Sequence, residues 1–325
     1  MRRIPRALQI LFWPLSIFYG CVVRAKRWLY EHGWLKAKRL DGAVISVGNV
    51  STGGTGKTPM VMWLAEKFLA EGKSVAILTR GYKGSHGTSD EVEVMKRHLG
   101  DRVRFGVGAD RYAEGRKLEA EKKVDIFLLD DGFQHLKLAR DVDVVLVNAS
   151  REWETEKLLP AGFLREPLSK LRKADIVVAF RVNEIKELPT IADRIEFHAT
   201  AMANRFRLLR GSEISGLPRV TLLAFCGIAS PESFQRDLEM INLAVVGLRV
   251  FADHHRYSAS DVARIETEAN SLGAEGLVTT EKDEANLVGL EFRMPVWVAV
   301  SWFGLHDENL MIRRIHDLLR KRHVA

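Results

Sequence analysis

Apolar positions fall into two rhythms along this chain. Continuous apolar runs over 43–48, 75–79, 124–130, 142–148 and 175–180 read as buried strands, with helically spaced stretches between several of them. Strands alternating with helices predict an α/β fold, a mostly parallel sheet with helices on both faces. A second region opens near Ile195. Its strand candidates are 220–225, 244–251, 276–280 and 295–300, its helix candidates 231–241 and 259–272, and a basic helix over about 307–322 closes the chain. The turn-rich passage 211–218 marks the change of region. The expected organisation is a helical segment over 1–40, a core over 41–195, and a smaller α/β domain with the C-terminal helix over 196–325, hinged to the core.

The N-terminal pattern differs from both rhythms. No charge interrupts Ala7 to Val23, while Arg2, Arg3 and Arg6 precede the run and Arg24, Lys26 and Arg27 follow it. Leu8, Leu11, Leu15, Phe18 and Val22 share one helical face, widened by Ile10, Trp13 and Ile17. The uncharged run is short for a membrane span, which needs about 20 apolar residues. An amphipathic helix lying in the membrane interface fits the basic flanks and aromatic residues better. A helix packed on the protein's own core and a true span are the alternatives.

Composition narrows the partners only slightly. The formal charge of +7 suits anionic lipid, phosphorylated substrates or nucleic acid. No basic stripe with interleaved aromatics supports the last, so no nucleic acid is expected. Two cysteines far apart in sequence argue against a disulfide framework.

The chemistry concentrates in Ser51-Thr52-Gly53-Gly54-Thr55-Gly56-Lys57-Thr58. A strand-like run precedes it, and Val61, Leu64, Ala65 and Phe68 follow at helical spacing. This is the context of a phosphate-binding P-loop. Glycines let backbone N–H groups approach phosphate oxygens, and the helix N-terminus adds partial positive charge. Lys57 would reach the β/γ-phosphates and Thr58 would ligate Mg²⁺. Ser51 stands where the strict pattern has Gly.

Other polar residues sit where that loop needs them. Val124 to Gly132 is an apolar strand tipped by Asp130 and Asp131, a carboxylate pair suited to a metal beside the loop. Arg80 and Tyr82 follow the 75–79 strand at the edge where open parallel sheets bind ligands. Asp90-Glu91 supplies a carboxylate able to accept a hydroxyl proton. Arg111 and Arg165 lie in expected loops and suit forked recognition of phosphate. His135 follows the acid pair. Asp253-His254-His255 suits a His–carboxylate dyad better than a metal site, because adjacent histidines on an extended segment face opposite ways.

Together these strings resemble the tetraacyldisaccharide 4'-kinase family, the lipid A 4'-kinases of Gram-negative bacteria. The resemblance spans nearly the whole chain. It rests on Ser46–Thr58, Thr79–Tyr82, Asp110–Tyr112, Leu129–His135, Leu159–Pro167, Asp253–His255 and Thr279–Asp283. Ser51 belongs to that family's own loop pattern. The resemblance implies transfer of the ATP γ-phosphate to the 4'-hydroxyl of a tetraacylated glucosamine disaccharide 1-phosphate at the cytoplasmic face of the inner membrane.

It also implies roles. Asp90 and His254 are the catalytic dyad, with Lys57 on the phosphates. Thr58, Asp130, Asp131 and Glu91 form the Mg²⁺ side. Asn49, Arg80, Tyr82, Arg111, Gln134, His135, Arg165 and Glu166 form the substrate side. Ser89-Asp90-Glu91-Val92 departs from the family's Gly-Asp-Glu-Pro, and the choice of His254 over His255 is open. Closure of the two regions on nucleotide is expected, to exclude water. The rival is a membrane-associated P-loop ATPase switch. The extra early loop lysine of partitioning ATPases is missing, and Thr280-Glu281-Lys282-Asp283 has the wrong spacing for a guanine reader.

Overall fold

The structure is a computed structural model that describes residues 5–52, 56–81, 90–151, 153, 155–182, 185, 191–211, 213–214 and 216–323. The chain forms two compact units. The larger comprises Arg2–Gly81, His98–Thr200 and Leu305–Ala325, and the smaller comprises Tyr82–Arg97 and Ala201–Gly304, with Met1.

In the larger unit, β1 (Ala43–Asn49) is flanked on both sides by parallel partners, β4 (Ile126–Asp130) and β5 (Val142–Asn148). Beyond β4 lie β2 (Val75–Thr79) and β3 (Arg104–Val107). Beyond β5 lie β6 (Ile176–Phe180) and the first residues of β7 (Phe197–Leu208). β1, β2 and β4 are buried along their whole length. That is why they read as continuous apolar runs, since a parallel sheet covered on both faces has no solvent side. The short β3 is only half-buried, and its Arg-Phe-Gly-Val carries no such run.

Helix α2 (Lys57–Ala70) buries Met60, Val61, Met62, Trp63, Leu64, Ala65 and Phe68. It follows β1 directly but packs on β4 as well as β1. Because β4 is inserted between β1 and β2, its carboxyl end lies beside that of β1, and Val47 is paired with Asp130. The register therefore carries the acid pair to the start of α2, at the sheet edge where such folds bind ligands.

One sequence expectation is corrected in this unit, and the N-terminal helix proves longer than its uncharged run. The C-terminal helix α8 (Glu308–His323) belongs here and not to the smaller unit. The reason is its contacts with α2: Trp63 Nε1 donates to Glu308 at 3.1 Å, Lys67 Nζ lies 2.5 Å from the same carboxylate, and His316 reaches Glu71 at 3.0 Å. The N-terminal helix α1 (Arg6–Glu31) is 26 residues long and runs through Pro14, so it outlasts the uncharged run and is long and apolar enough to cross a membrane.

One side of α1 is fastened to the unit. Ser16 donates to the Leu158 carbonyl at 2.8 Å, Tyr19 to the Arg165 carbonyl at 3.0 Å, and Arg27 to the Glu166 carboxylate at 2.7 Å. The other side leaves Ile10, Leu11, Trp13, Leu15, Phe18 and Val22 exposed.

In the smaller unit, β9 (Leu222–Cys226) is fully buried between parallel β10 (Val245–Val250) and β11 (Gly276–Thr280), and β12 (Val296–Leu305) pairs with β11. β7 enters this unit from the larger one and pairs there with β8 (Glu213–Ile214), antiparallel. Helices α5 (Pro231–Met240) and α6 (Ala259–Ser271) pack on β10 and β9, and the short α7 (Glu281–Glu284) follows β11. A capping box starts α6, with Ser258 and Asp261 exchanging side-chain and backbone bonds. Helix α3 (Asp90–Leu99) begins in this unit.

Candidate active site

The site is built where β1 ends. Asn49 is buried there, and its carbonyl accepts from Gln134 Nε2 at 2.8 Å, while Gly132 N donates to the Val47 carbonyl at 3.1 Å. These bonds tie the Asp-Asp-Gly-Phe-Gln-His turn to the strand. Phe133 fills the space above Gly48, where a Cβ would come within 2.5 Å of the Phe133 Cβ. Gly56 opens α2 with φ +77°, and a Cβ there would also meet the Phe180 ring at 2.8 Å, so the loop needs glycine for two reasons. Gly53, Gly54 and Thr55 lie outside the described residues.

A segment whose place the sequence pattern does not reveal walls the loop. Ser51 bridges antiparallel to Leu164, Thr52 N donates to the Phe163 carbonyl at 2.8 Å, and Arg165 N donates to the Val50 carbonyl at 2.8 Å. The Leu-Pro-Ala-Gly-Phe-Leu-Arg-Glu-Pro string thus lies along the entry to the loop. Arg151 adds a donor, Nη2 to the Thr52 carbonyl at 3.3 Å.

This wall brings Arg165 to Asp131. Arg165 Nη1 lies 2.9 and 2.7 Å from the two carboxylate oxygens, and Lys57 Nζ lies 3.6 Å from Oδ1. Asp131 has φ +51°, a left-handed conformation that Asp tolerates. Burial alone would raise its carboxyl, but the Lys57 and Arg165 charges outweigh burial and hold it below the ordinary carboxylate range. Asp130 is 3% exposed and accepts from Thr79 Oγ1 at 3.3 Å.

The donor set fits Mg²⁺. Thr58 at the start of α2 offers a hydroxyl, and Asp130 and Asp131 offer carboxylates, all hard oxygen ligands. Among the described residues no three acidic, histidine or cysteine side chains converge. The expected set does not require it, since Thr58 is one member and the Glu91 side chain is outside the described part of the molecule.

The remaining expected residues separate. Arg80 is exposed just beyond β2. Arg111 opens α4 (Arg111–Glu121) and is buried, with Nη1 donating to the Ala109 carbonyl at 3.1 Å. His135 is half-buried. Burial, reinforced by the charges of Arg111, Lys26 and Arg140, pushes its imidazole down to about 4, so it is neutral at neutral pH. Glu166 is 2% exposed and accepts from Arg27 of α1, so its carboxylate fastens the helix. The outward signal for this was Arg27, a charge placed on a helix whose other face is apolar. Tyr82 and Ser89 lie outside the described residues, as do the side chains of Asp90 and Glu91.

In the smaller unit the two histidines differ sharply. His255 Nε2 lies 3.2 Å from Asp261 Oδ2, and its ring stacks on Phe251 at 4.7 Å and meets Tyr257 edge-on at 5.0 Å. His254 has φ +58° and presents a side chain 66% exposed, 4.0 Å from Asp253.

A half-buried phosphate-loop lysine, an acid pair at the end of the neighbouring strand and a helix N-terminus define a P-loop phosphotransferase of the α/β class. Similarity to known proteins narrows the class further. The chain belongs to the tetraacyldisaccharide-1-P 4'-kinase family, whose model matches residues 8–320. Tetraacyldisaccharide 4'-kinase of Geobacter metallireducens is 36% identical over 97% of this chain and 100% of its own length. The Chlorobium phaeovibrioides enzyme of the same name is 37% identical over 87% and 88%. The crystal structure of LpxK from Aquifex aeolicus in complex with ATP matches with a TM-score of 0.79 and 30% identity, covering 96% of this chain and 99% of that one. Membership makes the chain a kinase and disfavours the switch reading.

Proposed function

We propose that this protein transfers the γ-phosphate of ATP to the 4'-hydroxyl of a tetraacylated glucosamine disaccharide 1-phosphate, a lipid A precursor. The observation that carries this reading is Asp131, held between Lys57 and Arg165 at the mouth of the P-loop. Lys57 and the α2 N-terminus receive the phosphates, and Thr58, Asp130 and Asp131 would hold Mg²⁺, with Glu91 beside them. When bound, the ion neutralises phosphate charge and fixes the γ-phosphoryl for in-line attack. Arg165 is positioned to follow the phosphoryl group as its charge redistributes.

In the transfer, the 4'-oxygen forms a bond to the γ-phosphorus and the bond to the β–γ bridging oxygen breaks, releasing ADP. The 4'-hydroxyl proton passes to the Asp90 carboxylate. His254 assists Asp90 by setting its proton affinity. Aromatic packing and the Asp261 contact engage the His255 ring, whereas the His254 ring is exposed, which supports His254 as the dyad member. Asn49, Arg80, Tyr82, Arg111, Gln134 and neutral His135 are assigned to the acceptor side. The units close on nucleotide, so that hydrolysis is suppressed until the acceptor is bound.

Helix α1 holds the enzyme at the cytoplasmic face of the inner membrane. Its hydrogen bonds from Ser16, Tyr19 and Arg27 to the fold favour a helix lying in the interface over one that crosses. Single-turnover phosphorylation by Asp90→Asn tests the chemistry. Retained ATP affinity with transfer slowed by roughly a hundredfold is expected of a lost general base. An unchanged transfer rate would remove Asp90 from the mechanism.

A further inference from the structure

The Thr279-Thr280-Glu281-Lys282-Asp283 string lies at the end of β11 and start of α7, and the transfer chemistry assigns it no task. Asp283 is 1% exposed and is the hub of a dense polar cluster. Its Oδ1 accepts from Gly227 N at 2.7 Å and from the Tyr257 hydroxyl at 2.8 Å, and its Oδ2 accepts from the Thr280 hydroxyl at 2.6 Å. A carboxylate this buried carries a large desolvation cost that its hydrogen bonds must offset. Burial raises its carboxyl above the ordinary range against the pull of those three donors.

Two of these contacts lead to the histidine loop. Gly227, held at its amide by Asp283, accepts from His254 N at its carbonyl, at 2.9 Å. Tyr257, held at its hydroxyl by Asp283, packs edge-on against His255 and Phe251. One carboxylate therefore fastens the loop at His254 itself, through Gly227, and at Tyr257 beyond it. The grip explains how His254 keeps a left-handed backbone, a conformation costing about 1 kcal/mol or more for a non-glycine residue unless its surroundings impose it.

We propose that Asp283 is a positioning residue that fixes the backbone of His254, so that the imidazole is presented in one orientation for transfer. This rests on the reading of His254 as a member of the catalytic dyad. Gly227 is the coupling element: a Cβ there would come within 2.9 Å of the Ala252 carbonyl, 3.0 Å of the His255 Cβ and 3.2 Å of Asp283 Oδ1. No side chain fits between the carboxylate and the loop.

The test uses the full chain with Asp283→Ala and Gly227→Ala, each in the wild-type and His254→Ala backgrounds, with kcat and KM measured for ATP and lipid. Both changes should lower kcat roughly ten- to a hundredfold with the KM for ATP unchanged, the size expected of a misplaced catalytic group. In the His254→Ala background they should cost nothing further, because the group they position is gone. Asp283→Asn should keep most of the rate, since its amide oxygen still accepts from Gly227 and Tyr257 while its nitrogen donates to Thr280. Equal losses in both backgrounds, or no loss in the wild type, would overturn the proposal. Should Asp283→Ala not fold, Gly227→Ala carries the same test, with Asp283→Asn as the conservative control. If His254→Ala alone leaves the rate unchanged, the dyad reading fails separately. Hydrogen exchange at the His254 amide then decides the positioning: faster exchange in Gly227→Ala sustains it, and unchanged protection rejects it.

Discussion

Arg165 grips both carboxylate oxygens of Asp131, at 2.9 and 2.7 Å, and Lys57 approaches the same carboxylate at 3.6 Å. The three residues come from three chain segments and meet because β4 lies beside β1 and the 158–166 string lies along the loop. Asp131 is thus kept ionised although burial opposes it.

Removing Arg165 should move that balance. With only Lys57 opposing burial, the Asp131 carboxyl rises, so its ionised form is lost at a higher pH. Arg165→Ala should shift the acid limb of the kcat/KM profile for ATP upward and lower the plateau by about tenfold or more, as charge-assisted contacts to phosphate warrant. A plateau loss with an unmoved acid limb would mean that Arg165 acts on the substrate alone.

The Arg27–Glu166 pair makes a stability prediction. Both side chains are nearly inaccessible, 6% and 3% exposed, so loss of either partner strands the other charge. Glu166→Ala and Arg27→Ala should each cost about 3 kcal/mol, and the double variant less than the sum. Denaturant unfolding of the four proteins reads this directly. Additive losses would show that the pair does not couple α1 to the unit.

The exposed face of α1 predicts membrane behaviour. Leu11→Glu with Phe18→Glu places two charges on that face without touching Ser16, Tyr19 or Arg27. Sedimentation with anionic phospholipid vesicles should fall at least tenfold, while turnover of a detergent-dispersed acceptor stays within about twofold. Undiminished vesicle binding would place the membrane contact elsewhere.

Much of the α/β fold is legible in the sequence, because fully buried parallel strands leave continuous apolar runs and the glycine loop falls between β1 and α2. What the sequence hides is non-local or locally faint. β3 is half polar, and β7, Phe-His-Ala-Thr-Ala-Met-Ala-Asn-Arg-Phe-Arg-Leu, mixes polar and small residues in a way no apolar run announces. α8 reads as a basic helix at the end of the second region, yet Glu308 meets Trp63 and Lys67 more than two hundred residues away in sequence. At the site, Lys57 and the acid pair can be read from strand-loop-helix context. The contact between Arg165 and Asp131 cannot, since it depends on how the 158–166 string pairs with Ser51. The Arg27–Glu166 contact is hidden for the same reason, the two partners lying 139 positions apart.

The central claim is acceptor-dependent phosphoryl transfer at this P-loop. The most direct measurement incubates the purified protein with γ-labelled ATP, Mg²⁺ and the detergent-dispersed disaccharide 1-phosphate, beside Lys57→Ala. The account predicts label in the 4'-position of the lipid and its loss in the variant. ATP hydrolysis without labelled lipid, or labelling that survives Lys57→Ala, would contradict it.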